Sequence, residues 1–382
     1  MEKVPQGRTW QVRQTTLEID LGLLEKNYRK LLKRARGAEM LVLLKSDAYG
    51  HSHRDIAAAL EKLPADALLH GYGVANVEEG IELRREGITR PIYILSGIQQ
   101  YNEELHRCLQ TCDLLPVISS LNVLRQLSRT LREATGTRSV HLKFNTGMNR
   151  LGIDPSEIAE CLKILRASPG IDVQGLMSHF AAGEKARLPL TRAQVKSFDS
   201  IVAEFAKHGI NPRYRHMANS AGLAAGAYPG GNLARIGLHL YGADDEELHP
   251  IARWTAQVYQ VRDLKKGDPV GYGPHFRAKK KMRMAILGVG YGDGYRRAFS
   301  NKAEVLIRGK RCPVIGAVSM DLTAIDVSRV PGISAEDRAT LLGRDGADRI
   351  TAGELAGHAK SISWEILTGI SARVPRIFRD GK

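Results

Sequence analysis

Little in this chain speaks for a stapled, metal-holding or membrane-spanning protein. Its 382 residues include four cysteines. These (Cys108, Cys112, Cys161 and Cys312) show no paired CxxC spacing, which argues against a zinc finger or a disulfide framework. Cys108 and Cys112, four apart on a predicted helix, suit packing better than metal ligation. No apolar run is long enough to cross a bilayer. The opening stretch, MEKVPQGRTWQVRQ, has no apolar signal region. A soluble, cytoplasmic chain with reduced thiols is expected. Aromatic residues are 6% of the total, and the net charge of +15 is spread along the sequence. The densest basic cluster, Lys279–Lys280–Lys281 with Arg283, is short, and no DNA or RNA module signature occurs. A basic surface that favours small anions is the expectation, with no nucleic-acid and no membrane partner.

What is present is an ordinary globular composition, 43% hydrophobic and 25% charged, on a chain long enough for a large barrel and a smaller companion. Its centre of gravity is MLVLLKSDAYGH, residues 40–51. Leu41, Val42, Leu43 and Leu44 read as a strand buried on both faces, as in parallel sheets. Lys45 closes that run. An ammonium at the tip of a buried strand loses hydration, so its pKa falls and its amine becomes nucleophilic, able to form a Schiff base with a carbonyl. On this segment alone, a lysine reaching into water is the better explanation of Lys45, and the rest of the chain must decide.

Alternation then organises the chain. Asp20 is placed to cap a helix carrying Leu24, Tyr28 and Leu31. Strands are predicted at 41–45, 70–75, 91–96, 114–119, 140–145, 173–180, 214–219 and 234–242. Helical patterns at 54–63, 76–87, 121–134, 155–168 and 190–209 separate most of them. Regular alternation of this kind predicts an α/β protein with an N-terminal (β/α)8, TIM-type barrel. An open doubly wound sheet is the alternative, but no GxGxxG follows the first strand. From residue 250 onward, short β-like runs such as WTAQVYQV and AEVLIRG dominate, with helix suggested only around Ala352–Ala359 and Trp364–Thr368. The expected domains are a barrel over 14–248 and a mainly-β domain over 249–382, with residues 1–13 packing on the latter.

A barrel places its chemistry at the C-terminal ends of its strands, with phosphate held after the seventh and eighth. Polar residues collect there in this sequence. Lys45 ends the first strand, Asn145 to Arg150 follow the fifth, and His179 ends the sixth. His216, Asn219 and Ser220 close the seventh, and Arg235 and Gly237 lie in the eighth. Singly, His179 reads as a core histidine, Arg150 as a surface arginine and Ser220 as a helix cap. Their concentration at one end is the signal.

These segments resemble the alanine racemases, enzymes dependent on pyridoxal 5′-phosphate. The likeness is carried by LKSDAYGH, KFNTGMNRLG, SHFA, HMANSAG, ARIGLHLYG, VGYG, GYGDGYRR, SMD and RVPRIF in the family's order. It implies an isomerase that interconverts L- and D-alanine as a homodimer, supplying D-alanine for the bacterial cell wall. Lys45 would hold the cofactor and serve as one acid–base group, and Tyr272, supplied by the partner subunit, as the other. Arg235 would meet the pyridine nitrogen. Tyr49, Ser220, Gly237 and Leu238 would hold the phosphate, and His179 and Asn219 would adjoin the cofactor, with His216 behind them. Arg150 would hold the substrate carboxylate and orient Tyr272. Met320 and Asp321 would line the substrate side from the partner. Lys143 matches a lysine that is carbamylated in some members.

Several positions depart from the family's pattern. ARIG stands for the commoner arginine–proline–glycine, Ser319 for a frequent cysteine and Ala317 for a frequent arginine. Ala372 occupies the place of a phosphate-binding tyrosine. Racemases of serine or lysine on the same scaffold, a decarboxylase of similar architecture and a non-catalytic cofactor carrier remain alternatives. Arg235 argues against the decarboxylase, which places an acidic residue at the pyridine nitrogen.

Overall fold

A computed structural model describes residues 15–133, 137–228, 230–273 and 275–380. The chain divides into two compact units, one of Leu24–Leu248 and one that joins the stretch ending at Leu23 to His249–Lys382.

The first unit is the expected barrel. Its eight strands are β2 (Glu39–Leu43), β3 (Leu69–Val74), β4 (Ile92–Ile94), β5 (Leu114–Ile118), β6 (Arg138–Lys143), β7 (Ile171–Met177), β8 (Tyr214–His216) and β9 (Leu233–Ile236). They run parallel in sequence order from β2 to β8, and β9 returns to pair with β2. Leu41, Tyr93, Val117, Met177, Tyr214 and Leu233, one from each of six strands, meet in a single buried cluster, as inward-facing residues of a ring do. Among the described residues β8 and β9 share no ladder. Separate bonds cross that seam: Asn232 N–H to Arg215 O at 3.2 Å, Arg215 N–H to Asn232 Oδ1 at 2.8 Å, and Arg235 N–H to Ala218 O at 3.1 Å.

Strand ends differ from the sequence reading. β2 stops at Leu43, so Lys45 opens the following turn instead of closing the strand. β7 stops at Met177, before His179, and β9 at Ile236, with a 3-10 turn over Leu238–Tyr241. In each case residues entering the loop stay largely buried, Leu44 after β2, Ser178 and Phe180 after β7 and Leu238 after β9.

The second unit holds a nine-stranded sheet. It contains β1 (Thr16–Asp20), which the sequence reading assigned to the barrel; β1 pairs antiparallel with β10 (Ala252–Leu264) and parallel with β17 (Arg376–Arg379). The reason is visible in TLEID, where Leu17 and Ile19 are buried at 1% and 0% exposure between the polar Glu18 and Asp20, the alternation of a strand with one buried face. Residues 1–13, expected to pack here, lie outside the described residues. β10 also pairs with β11 (Met282–Leu287) and β15 (Arg338–Asp345). The remaining strands are β12 (Glu304–Ile307), β13 (Lys310–Pro313), β14 (Thr323–Asp326) and β16 (Asp348–Ile350). Helices occupy Ala352–Ala359 and Ser363–Thr368, where the sequence suggested them. Among the described residues no helix is long and apolar enough to cross a membrane.

Candidate active site

Immediately after β2 the chain makes one turn of left-handed helix. Ser46, Asp47, Ala48 and Tyr49 have φ between 51° and 57°, and none is glycine. Each such residue costs roughly 1–2 kcal/mol relative to the right-handed form, so the surroundings must hold the turn. Glu79 does so: its carboxylate accepts the N–H of Ser46 at 2.7 Å and that of Ala75, beyond β3, at 2.7 Å. Asp47 accepts the N–H of His53 at 2.8 Å. The turn fixes Lys45 at its start and buries Tyr49 at its end. Burial lowers the Lys45 pKa, helped by the nearby charges of Arg150 and Arg235 and opposed by Glu79.

Arg235, on β9 and 2% exposed, is the most heavily bonded side chain of the barrel's polar end. Nη1 donates to His216 Nδ1 at 2.7 Å and His216 O at 3.1 Å. Nη2 donates to Ser178 O at 2.8 Å, Met217 O at 2.9 Å and His179 Nδ1 at 3.0 Å. Burial lowers the guanidinium to about 10, which leaves it charged at neutral pH. Because arginine only donates, Nδ1 of both histidines must be an acceptor, which puts their protons on Nε2. His216 Nε2 then donates to His141 Nδ1 at 2.8 Å. All three imidazoles are held neutral by burial first: His179 falls to about 2 and His141 to about 3, and His216 falls well below its ordinary value. Gly175 makes this line possible, since a Cβ there would sit 2.3 Å from the His141 ring.

The phosphate residues of the sequence reading also converge. The Gly237 N–H donates to Ser220 Oγ at 2.7 Å, and a Cβ on Gly237 would lie 2.4 Å from Tyr49 Oη. Two hydroxyls and a backbone N–H thus surround a position that only glycine leaves open. Leu238 follows, buried at 2% exposure. The Asn219 Oδ1 accepts the N–H of Gly222 at 2.8 Å and caps the helix Ser220–Ala224.

The donor set fits pyridoxal phosphate. The Tyr49 hydroxyl and the Arg235 Nε–H have no hydrogen-bond partner among the described residues, although Tyr49 and Arg235 are 4% and 2% exposed. They are donors waiting for acceptors of the kind a phosphate and a pyridine nitrogen provide.

Lys143 is buried on β6, two residues from His141, and its pKa falls to about 8 through burial and the charges of Arg235, Arg150 and Lys45. Arg150 is exposed on the loop after β6. In that loop Asn145 Oδ1 accepts the N–H groups of Gly147 at 3.2 Å and Asn149 at 2.9 Å. Gln194, fully buried, ties this loop to the next one by donating to Thr146 Oγ1 at 3.3 Å and His179 O at 2.9 Å.

Tyr272, Met320 and Asp321 belong to the second unit. Tyr272 and Met320 are 75% and 54% exposed. Asp321 pairs with Arg373, which also bonds the fully buried Asp293 at 2.9 Å.

Sequence reasoning missed Glu79, His141, Gln194 and Arg373. A signal existed for His141 alone: in VHLKF it shares one strand face with Lys143, and two polar groups on one face of a barrel strand point inward. The other three are ordinary helix or loop residues whose partners lie far away in sequence.

Comparison with known proteins covers nearly the whole chain. The family model "Alanine racemase, N-terminal domain" matches residues 19–245, and "Alanine racemase, C-terminal domain" matches residues 251–378. The alanine racemase of Citrifermentans bemidjiense is 38% identical over 381 residues, covering 96% of this chain and 99% of its own. Among solved structures, Bacillus anthracis alanine racemase with bound L-Ala-P superposes with a TM-score of 0.87 at 30% identity, covering 98% of this chain and 97% of its own. The Bartonella henselae enzyme, with covalently bound pyridoxal phosphate, gives 0.86 at 25% identity, covering 96% and 99%.

Proposed function

We propose, since the chain belongs to the alanine racemase family of pyridoxal-phosphate-dependent isomerases, that it interconverts L- and D-alanine with Lys45 and Tyr272 as its two acid–base groups. The observation that carries this reading is the Arg235 clamp: a charged guanidinium, locked by three carbonyls and two neutral imidazoles, in the same barrel end as a lysine whose pKa is lowered. Pyridoxal phosphate, when bound, supplies a ring that withdraws electrons from the substrate's Cα.

The chain's own residues do the rest. Lys45, its amine favoured over the ammonium by burial, takes or returns the Cα proton on one face. Tyr272 of a second copy works on the other face, so a proton lost on one side is replaced on the opposite side. Arg235 would meet the pyridine nitrogen without giving it a proton, because a guanidinium keeps its own. A pyridine nitrogen held this way would stay unprotonated, which would favour return of the proton at Cα over transamination. Tyr49, Ser220, Gly237 and Leu238 would hold the phosphate, and Arg150 would hold the substrate carboxylate. Met320 and Asp321 of the second copy bound the substrate side, with Arg373 bracing Asp321. Lys143, neutral above about pH 8, is the amine suited to take up carbon dioxide as a carbamate. The proposed setting is a cytoplasmic homodimer that provides D-alanine for the cell wall.

An absorption spectrum of the purified protein before and after borohydride, followed by chiral assays with L-alanine, L-serine and L-lysine, tests this. Loss of the cofactor band on reduction and fastest turnover of alanine are expected. Alanine as the poorest of the three, or evolution of carbon dioxide, would overturn the assignment. Tyr272→Phe should keep the cofactor band and lose racemisation by orders of magnitude; a carrier protein would show no wild-type racemisation to lose.

A further inference from the structure

A cavity of about 300 Å³ opens in the second unit, lined entirely by residues that the reaction above does not use. Its buried lining is apolar, from Ile251 and Ile350, and its exposed lining is cationic, with Arg344, Arg349 and Arg379 joined by the half-buried Arg253. Two carboxylates also reach it, but both are already engaged. Glu18 pairs with Arg379 at 2.7 Å and Arg253 at 3.7 Å, and Asp20 accepts the N–H of Leu23 at 2.8 Å. Arg344 and Arg349 are different. Neither guanidinium has a partner among the described residues, yet β15 and β16 place the two directly opposite each other across the hairpin. Like charges so opposed destabilise a strand pair. The Arg253 Nε–H, also facing this region, is buried without a partner.

We propose that this cavity binds a small organic phosphate monoester, with Arg344 and Arg349 clamping the phosphate and Ile251 and Ile350 seating its apolar body. Two adjacent guanidinium forks call for an anion with more than one acceptor edge. A phosphate offers three terminal oxygens, whereas a carboxylate offers a single edge that one fork satisfies. The size lies at the lower end of small-molecule pockets, which favours a compact ligand. The proposal stands apart from the racemase reading, because no residue of this cavity takes part in it.

The test is calorimetric titration of borohydride-reduced holoenzyme, whose cofactor site is filled and cannot compete, at constant ionic strength. Phenyl phosphate is expected to saturate one site per chain, more tightly than inorganic phosphate and much more tightly than benzoate. The R344A/R349A double variant should weaken phenyl phosphate by about tenfold or more, the loss expected for charge-assisted bonds, while unreduced enzyme keeps its racemisation rate. R344K/R349K, which keeps the charge and loses the forks, should fall between. R349E replaces the opposed like charges with an ion pair, so it should raise Tm in phosphate-free buffer and abolish binding. The absence of saturable phenyl phosphate binding would overturn the proposal, as would unchanged affinity in R344A/R349A. So would benzoate or inorganic phosphate binding as well as phenyl phosphate.

Discussion

At the scale of single residues, Arg235 and Lys143 show how burial sets chemistry. Arg235→Ala would strip the donor from three buried carbonyls and two imidazoles. His216 O keeps the N–H of Ser178, but each acceptor left without a donor costs about 1–3 kcal/mol, so the expected loss is several kcal/mol in denaturant unfolding, together with weakened cofactor retention. Arg235→Lys is expected to rescue little, because a point charge cannot reproduce the fork. Lys143 acts through pH. Its folded pKa of about 8 lies below the ordinary lysine value, so between these limits the unfolded chain binds the extra proton and stability rises with pH. Below about pH 8 the folded protein carries the full burden of a buried ammonium. Lys143→Met should therefore stabilise the fold near neutrality, by up to about 3 kcal/mol, and flatten the rise in alkaline solution. A stability-against-pH curve that is the same for both proteins would contradict this.

At the scale of elements, the left-handed turn after β2 is where local preference and tertiary demand disagree. Ser46 is exposed and has φ of 52°, so Ser46→Gly removes a left-handed penalty of about 1–2 kcal/mol and adds roughly 0.5–1 kcal/mol of lost chain entropy. A Tm equal to or slightly above wild type is expected from thermal unfolding; a clear fall would mean that Ser46 contributes something beyond its backbone. This turn was illegible in the sequence, because KSDAY carries no glycine to announce positive φ and Glu79, which holds it, comes over thirty residues later. The barrel itself was legible, since its buried parallel strands are apolar runs separated by amphipathic helices. β1 was not, as TLEID runs straight into a helix pattern and its partners β10 and β17 lie at the far end of the chain. In the site, residues at strand ends were readable from position. The cap that Asn219 Oδ1 places on Gly222 was not, because an amide able to face a ligand is equally able to cap a helix.

At the scale of the whole molecule, the proposed division of labour between two copies has a direct genetic test. Lys45→Ala and Tyr272→Phe chains, each inactive alone, should regain activity when denatured together and refolded. One site of each mixed dimer then receives an intact lysine and an intact tyrosine, and random pairing predicts roughly a quarter of wild-type activity. If both groups of a site came from one copy, the mixture would stay inactive.

The unladdered seam between β8 and β9 has a consequence at this same scale. Had the two strands zipped together rung by rung, the main-chain oxygen of Met217, just beyond β8, would be committed to a neighbouring strand. Left unclaimed by a ladder, it accepts from Arg235 Nη2, beside the His216 oxygen that already takes the Ser178 N–H. The proposed contact of Arg235 with the cofactor ring is therefore tied to an imperfection in the cylinder, and a redesign that made the barrel more regular there would evict the arginine.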